Sequence, residues 1–143
     1  MNNMRALIGM SGGVDSSVAA LLMKQAGYEC IGATMRLYEN PTEVSTCCSL
    51  EDVEDARAVA TKLGIRHYAF NFTEDFDRQV MRKFADSYEQ GLTPNPCIDC
   101  NRYLKFDRLL RRALELGCDW VVSGHYARIR QEKGRYLLYK AVD

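Results

Sequence analysis

The sequence has no apolar run near the ~18 residues that a membrane helix needs, which excludes an α-helical span, and no membrane partner is expected. Its opening, MNNMRALIGM, lacks the long apolar segment of a secretory signal, so the expected location is the cytoplasm. It has no excess of either charge: 19 Lys and Arg stand against 19 Asp and Glu. A dedicated nucleic-acid module is usually basic, so any RNA contact must come from local patches. Internal repeats, low-complexity stretches and linkers are also missing, and no domain boundary is placed. What remains is 143 residues with 47% hydrophobic content, enough for one globular domain with a real core.

Six cysteines exceed what packing needs: Cys30, Cys47, Cys48, Cys97, Cys100 and Cys118. In a reducing compartment their spacing points to metal binding or catalysis rather than to a disulfide framework. Cys30 and Cys118 sit in apolar surroundings and read as small buried hydrophobes. Cys47 and Cys48 are adjacent in a polar, proline-interrupted stretch and read as incidental.

Periodicity gives a strand at 4–10, a helix at 16–26 with Val18, Leu21 and Leu22 at helical spacing, and a strand at 28–38. After a loop at 39–49, Ser49 approximates a capping box for a helix at about 50–63. Val53, Ala56, Val59, Ala60 and Leu63 mark its buried face. A third strand covers 65–72, with His67 expected at its surface. A helix follows to about Gln90, with Phe76, Val80, Phe84 and Tyr88 on one stripe. Two prolines make 91–101 a loop, and a helix spans about 102–116. A fourth strand lies at 119–124, and 126–141 alternates about Lys133-Gly134 as a β-hairpin. Alternating strands and helices predict an α/β fold: a doubly wound, mostly parallel, Rossmann-like sheet with helices on both faces.

The segment IGMSGGVDSS stands where such folds bind ligands, beyond the first strand. Gly12 and Gly13 let backbone approach a ligand and permit positive φ. The helix start at about Asp15 to Ser17 favours phosphate, and the hydroxyls of Ser11, Ser16 and Ser17 add donors. The pattern is neither G-x-x-x-x-G-K-S/T nor G-x-G-x-x-G. Without a lysine to reach β and γ phosphates, the loop suits pyrophosphate as a leaving group. The expected chemistry is attack at an α-phosphate, with Asp15 binding the Mg²⁺ that neutralises the phosphates.

The stretch TPNPCIDCNR holds Cys97 and Cys100 as C-x-x-C behind Pro94 and Pro96. Cys100 precedes the expected helix, where a thiolate is favoured, so it is the better nucleophile and Cys97 the second thiol or ligand. Taken alone, the pair also fits half of a zinc site, a redox dithiol, or two structural cysteines.

SGGVDSS resembles the pyrophosphate loop of ATP-dependent adenylating enzymes, in the adenine nucleotide alpha-hydrolase type of fold. With LGIRHYAFNF, GLTPNPCIDCNRYLKFDRLL and SGHYARI, the chain resembles the tRNA-uridine 2-sulfurtransferases, or 2-thiouridylases, almost end to end. Those enzymes are longer, so residues 1–143 are identified as their N-terminal nucleotide-binding catalytic domain. The resemblance implies an ATP site at Gly9, Met10, Ser11, Gly12, Gly13, Val14, Asp15, Ser16 and Ser17, with Met35 at the adenine and Gly124 also touching ATP, His125 beside it. It implies that Asn95, Pro96 and Cys97 meet the target base and that Cys100 is the nucleophile. Many members carry aspartate where this chain has Cys97.

The implied activity is ATP-dependent 2-thiolation of a tRNA wobble uridine. Its C2 oxygen is adenylated, and sulfur arrives from the persulfide of a further cysteine beyond residue 143, leaving a disulfide with Cys100. The implied alternative is a 4Fe–4S cluster on Cys97, Cys100 and that later cysteine. The implied partners are tRNA and a sulfur-relay or cysteine desulfurase protein. Lys105, Arg108, Arg111, Arg112, Arg128, Arg130, Lys133 and Arg135 are candidate phosphate contacts. Two other functions stay open: a different adenylating enzyme acting on a small molecule, or a non-catalytic ATP- or metal-binding fragment.

Overall fold

The computed structural model describes residues 3–37 and 50–142. The loop expected at 39–49, with Cys47, Cys48 and the expected cap Ser49, lies outside the described residues. The strands β1 (Arg5–Gly9), β2 (Glu29–Arg36), β3 (Arg66–Asn71) and β4 (Trp120–Val122) form one parallel sheet in the order β3-β2-β1-β4. Strand order reverses between β1 and β4, so a crevice opens beyond the carboxyl ends of those two strands.

Strand alternation supplies both faces of the core. Ile8, Met10 and Cys30 point one way and pack with Ala20 of α1 (Val14–Gln25) and Ala56 and Ala60 of α2 (Leu50–Leu63). Leu7, Ile31 and Ala33 point the other way, against Leu109 and Ala113. Helices therefore cover both faces, as expected. Helix α1 differs from expectation. Val18, Leu21 and Leu22 are exposed, and Ser16 and Ala20 are its buried residues. The helix turns its small residues to the sheet, which lets its backbone lie close to β1. Cys30 and Cys118 are buried as expected, and burial pushes both thiols up in pKa.

Two helical runs carry π-helical turns. The first is α3 (Thr73–Phe76), the turns Asp77–Met81, and α4 (Arg82–Glu89). Of its predicted stripe, Phe76 and Val80 are in the core, Phe84 is half-buried and Tyr88 is exposed. The second is α5 (Pro96–Asp99), the turns Cys100–Arg108, and α6 (Leu109–Glu115). This helix begins at Pro96, not near 102. Asn95 is its N-cap and accepts from the Cys97 N–H at 3.1 Å, with Pro96 at the first helical position.

His67 is half-buried rather than a surface residue, with Nε2 2.8 Å from the Thr34 hydroxyl. The hairpin strands β5 (Ala127–Glu132) and β6 (Arg135–Lys140) form a separate antiparallel sheet. Lys133 and Gly134 both take positive φ, 49° and 75°, as a two-residue primed turn requires.

Candidate functional site

The loop after β1 is held by its own serines. Ser16 is buried; its hydroxyl accepts from the Ser11 N–H at 3.2 Å and donates to the Gly13 carbonyl at 3.3 Å. Ser17 donates to the same carbonyl at 2.7 Å. The hydroxyls of Ser16 and Ser17, expected as ligand donors, both donate to the Gly13 carbonyl within the loop. Gly12 takes φ 83°, and a Cβ there would meet the Asp52 carbonyl of α2 at 2.7 Å. Gly13 is in ordinary extended backbone at φ −82°, so it needs no glycine on conformational grounds.

Across the crevice, Gly124 follows β4. A Cβ on it would lie 2.8 Å from the Ser16 nitrogen and 3.0 Å from the Asp15 carbonyl carbon. A side chain at 124 would cover the Ser16 N–H, one of the first-turn amides that α1 does not use internally. The crevice between these walls holds about 400 Å³, within the range of small-molecule sites. Gly9, Met10, Ser11, Asp15, Ser16, Met35 and Gly124 line it together. Gly12, Gly13, Val14 and Ser17 do not; they face a shallower depression between α1 and α2 with Val18 and Lys62.

Sequence reasoning missed most of the apolar wall: Ala33, Phe106, Leu109, Leu110 and Val121. Phe106, Leu109 and Leu110 lie at helical spacing, which was the available signal. Lys105, Ser123 and His125 complete the lining. The His125 ring lies 5.3 Å from that of Phe106, and its Nδ1 is 2.7 Å from the Ser123 hydroxyl. Burial first, then the Lys105 charge, holds His125 below the ordinary histidine pKa. Tyr126 donates to Asp15 Oδ1 at 2.5 Å, a contact nothing in the sequence announces. The hydrogen bond to Asp15 raises the tyrosine's pKa above its ordinary value. The crevice can take a ligand that is anionic at the glycine and α1 end and flat and apolar at the Met35–Phe106 end. Asp15, a single carboxylate on the anionic side, suits Mg²⁺, which keeps most of its waters.

The two thiols stand outside this lining. Cys97 is exposed, and Cys100 packs on the apolar cluster that includes Met35 and Leu104. Cys97 occupies the first turn of the helix; Cys100 lies past it, where the pull of a helix terminus has faded. The proximity of Cys100 to a helix start therefore does not hold as expected. Asp99, between the thiols, accepts from Lys83 at 3.0 Å, and Lys83 also lies over the Tyr103 ring. Among the described residues no group of three or more His, Cys, Asp or Glu is placed to hold a metal ion. Among the described residues, a 4Fe–4S cluster would draw on Cys97 and Cys100.

The helix arginines are engaged. Arg108 pairs with Asp75 at 2.9 Å, Arg111 with Asp107, and Arg112 with Glu115. On the hairpin, Arg128, Arg130, Lys133 and Arg135 are exposed and make no ion pair among the described residues, although Arg128 and Arg130 stack on Tyr139. No described helix is long and apolar enough to cross a membrane.

Comparison with known proteins gives two curated relatives, one solved structure of similar fold and one family. A "tRNA-specific 2-thiouridylase MnmA" of Clostridioides difficile is 53% identical over 98% of this chain and 40% of its own length. A protein of the same name from Clostridium perfringens is 51% identical over the whole chain and 41% of its own length. The chain thus spans about two-fifths of the curated relatives it matches. In fold it is similar to a solved structure described as a predicted subunit of tRNA methyltransferase from Methanocaldococcus jannaschii. That likeness has a TM-score of 0.55 at 18% identity and covers 92% of this chain and 57% of the other. The family described as "tRNA methyl transferase HUP domain" matches residues 4–143, and the chain belongs to it.

Proposed function

We propose that residues 1–143 are the nucleotide-binding catalytic part of an ATP-dependent tRNA-uridine 2-sulfurtransferase. The observation that carries this is the crevice itself. The glycine loop and the start of α1 meet Gly124 across it, the loop itself carries no lysine, and an apolar wall from Met35 to Phe106 suits adenine. The relatives named thiouridylases support sulfur rather than methyl transfer.

In this reading Asp15 holds Mg²⁺, and the loop and the Ser16 N–H hold the phosphates. The uridine, turned out of its stack, meets Asn95, Pro96 and Cys97. Its C2 oxygen attacks the α-phosphorus; the bond to pyrophosphate breaks and the oxygen becomes part of an AMP ester. The outer sulfur of a persulfide on a second cysteine attacks C2, and AMP departs with the oxygen. The Cys100 thiolate then attacks the inner sulfur, leaving 2-thiouridine and a disulfide. The persulfide sulfur comes from a relay or desulfurase protein, and the exposed basic side chains of the hairpin serve tRNA phosphates.

The test is mass spectrometry of tRNA nucleosides from cells lacking the gene. Thiolated wobble uridine disappears and returns with the intact gene but not with Cys100→Ser. Unchanged thiolation in the deletion would refute the reading.

A further inference from the structure

Residues 123–126 bridge the crevice from β4 to the hairpin and touch both of its walls. Gly124 lies against the start of α1, His125 meets Phe106 opposite, and the Tyr126 hydroxyl reaches Asp15 across 111 residues of chain. Tyr126 is otherwise 71% exposed. The hairpin it leads into shares no backbone ladder with the main sheet and exposes Ile129, Tyr136 and Leu138. A lone two-stranded hairpin is marginal in water, so one bond at its base has leverage over its order.

We propose that Tyr126 is a positioning residue that latches the hairpin to Asp15 until Mg²⁺-bound nucleotide takes that carboxylate. This rests on the reading that the crevice binds ATP with Mg²⁺ at Asp15. The hydroxyl already donates to Asp15 Oδ1, and a cation held by the same carboxylate would compete with that donor for its negative charge. Cation binding at Asp15, 111 residues from Tyr126 in sequence, therefore weakens the latch, and the hairpin reports on the occupancy of the crevice.

The test compares the full-length protein with its Tyr126→Phe variant, which keeps the ring and loses the donor. Two quantities are read: amide hydrogen exchange over 127–140, and ATP affinity by calorimetry with and without Mg²⁺. Without nucleotide, Y126F exchanges faster across the hairpin by roughly fivefold, the worth of one modest hydrogen bond. Mg²⁺–ATP speeds exchange there in the wild type but not in the variant. Y126F binds Mg²⁺–ATP more tightly by a similar factor and metal-free ATP unchanged. Equal exchange and equal Mg²⁺–ATP affinity in the two proteins would overturn the latch and leave the nucleotide reading standing. Weaker Mg²⁺–ATP binding by Y126F would also overturn it, by showing that the tyrosine supports the bound state. A wild type that takes no ATP, with or without Mg²⁺, would overturn the nucleotide reading and the latch together.

Discussion

The buried hydroxyl of Thr34 donates to the Met10 carbonyl at 2.8 Å, so His67 Nε2, 2.8 Å from Thr34 Oγ1, must be the donor of the second bond. A hydroxyl has one proton to give. His67 therefore carries a proton on Nε2, and its buried Nδ1 has no hydrogen-bond partner among the described residues. The pair holds the end of β1 where the glycine loop departs.

A proton added at Nδ1 would be a buried donor without an acceptor. Burial first, then the Arg57 charge, keeps the His67 pKa below its ordinary 6.5. The unfolded chain therefore takes up its proton first as pH falls. The contribution is full above 6.5 and is lost as the pH drops through that value toward the lowered native one. His67→Gln keeps a donor near the Nε2 position and does not titrate. Its melting temperature should fall less on acidification than that of the wild type, as a pH series of thermal melts will measure.

Gly124→Ala places a methyl 2.8 Å from the Ser16 nitrogen, against backbone that cannot swing aside. The expected cost is about 1–3 kcal/mol in denaturant unfolding. ATP affinity should fall as well, because the Ser16 N–H is covered. Calorimetry on the folded variant separates the two effects.

Asp75 ties two helices, accepting from Arg78 at 3.1 Å and from Arg108 at 2.9 Å. Arg108 lies on the helix that carries Cys100. Asp75→Ala should destabilise by about 1 kcal/mol, a figure held down by the partial exposure of both arginines. Unfolding in urea measures it.

Thiol alkylation followed by mass spectrometry should modify exposed Cys97 before Cys100, and Cys30 and Cys118 last. The last two are each 7% exposed, with thiol pKa values raised by burial. A persulfide–disulfide cycle needs Cys100 and tolerates Cys97→Ser. Loss of thiolation in both single variants would instead favour the cluster.

The parallel sheet was legible because apolar strands and amphipathic helices alternate along the chain. The hairpin register was legible from Lys133-Gly134. The start of the Cys100 helix was also written in the sequence, as an N-cap Asn95 followed by Pro96 at the first position. Reading Pro96 as a breaker hid that signal, although proline is favoured there. The π-helical turns had no local signature. Nor had the burial of Ser16 in place of Leu21 and Leu22, since the sheet selects that face for its small residues. The Tyr126–Asp15 bond depends on strand order and could not be read from either segment alone.

The most direct test of an adenylating crevice is the product pattern from labelled ATP incubated with the full-length protein, unmodified tRNA and a sulfur donor. Attack at the α-phosphate predicts AMP and pyrophosphate in step with thiolated uridine. ADP and inorganic phosphate in their place would mean γ-phosphate cleavage, and would contradict the role given to a glycine loop without lysine.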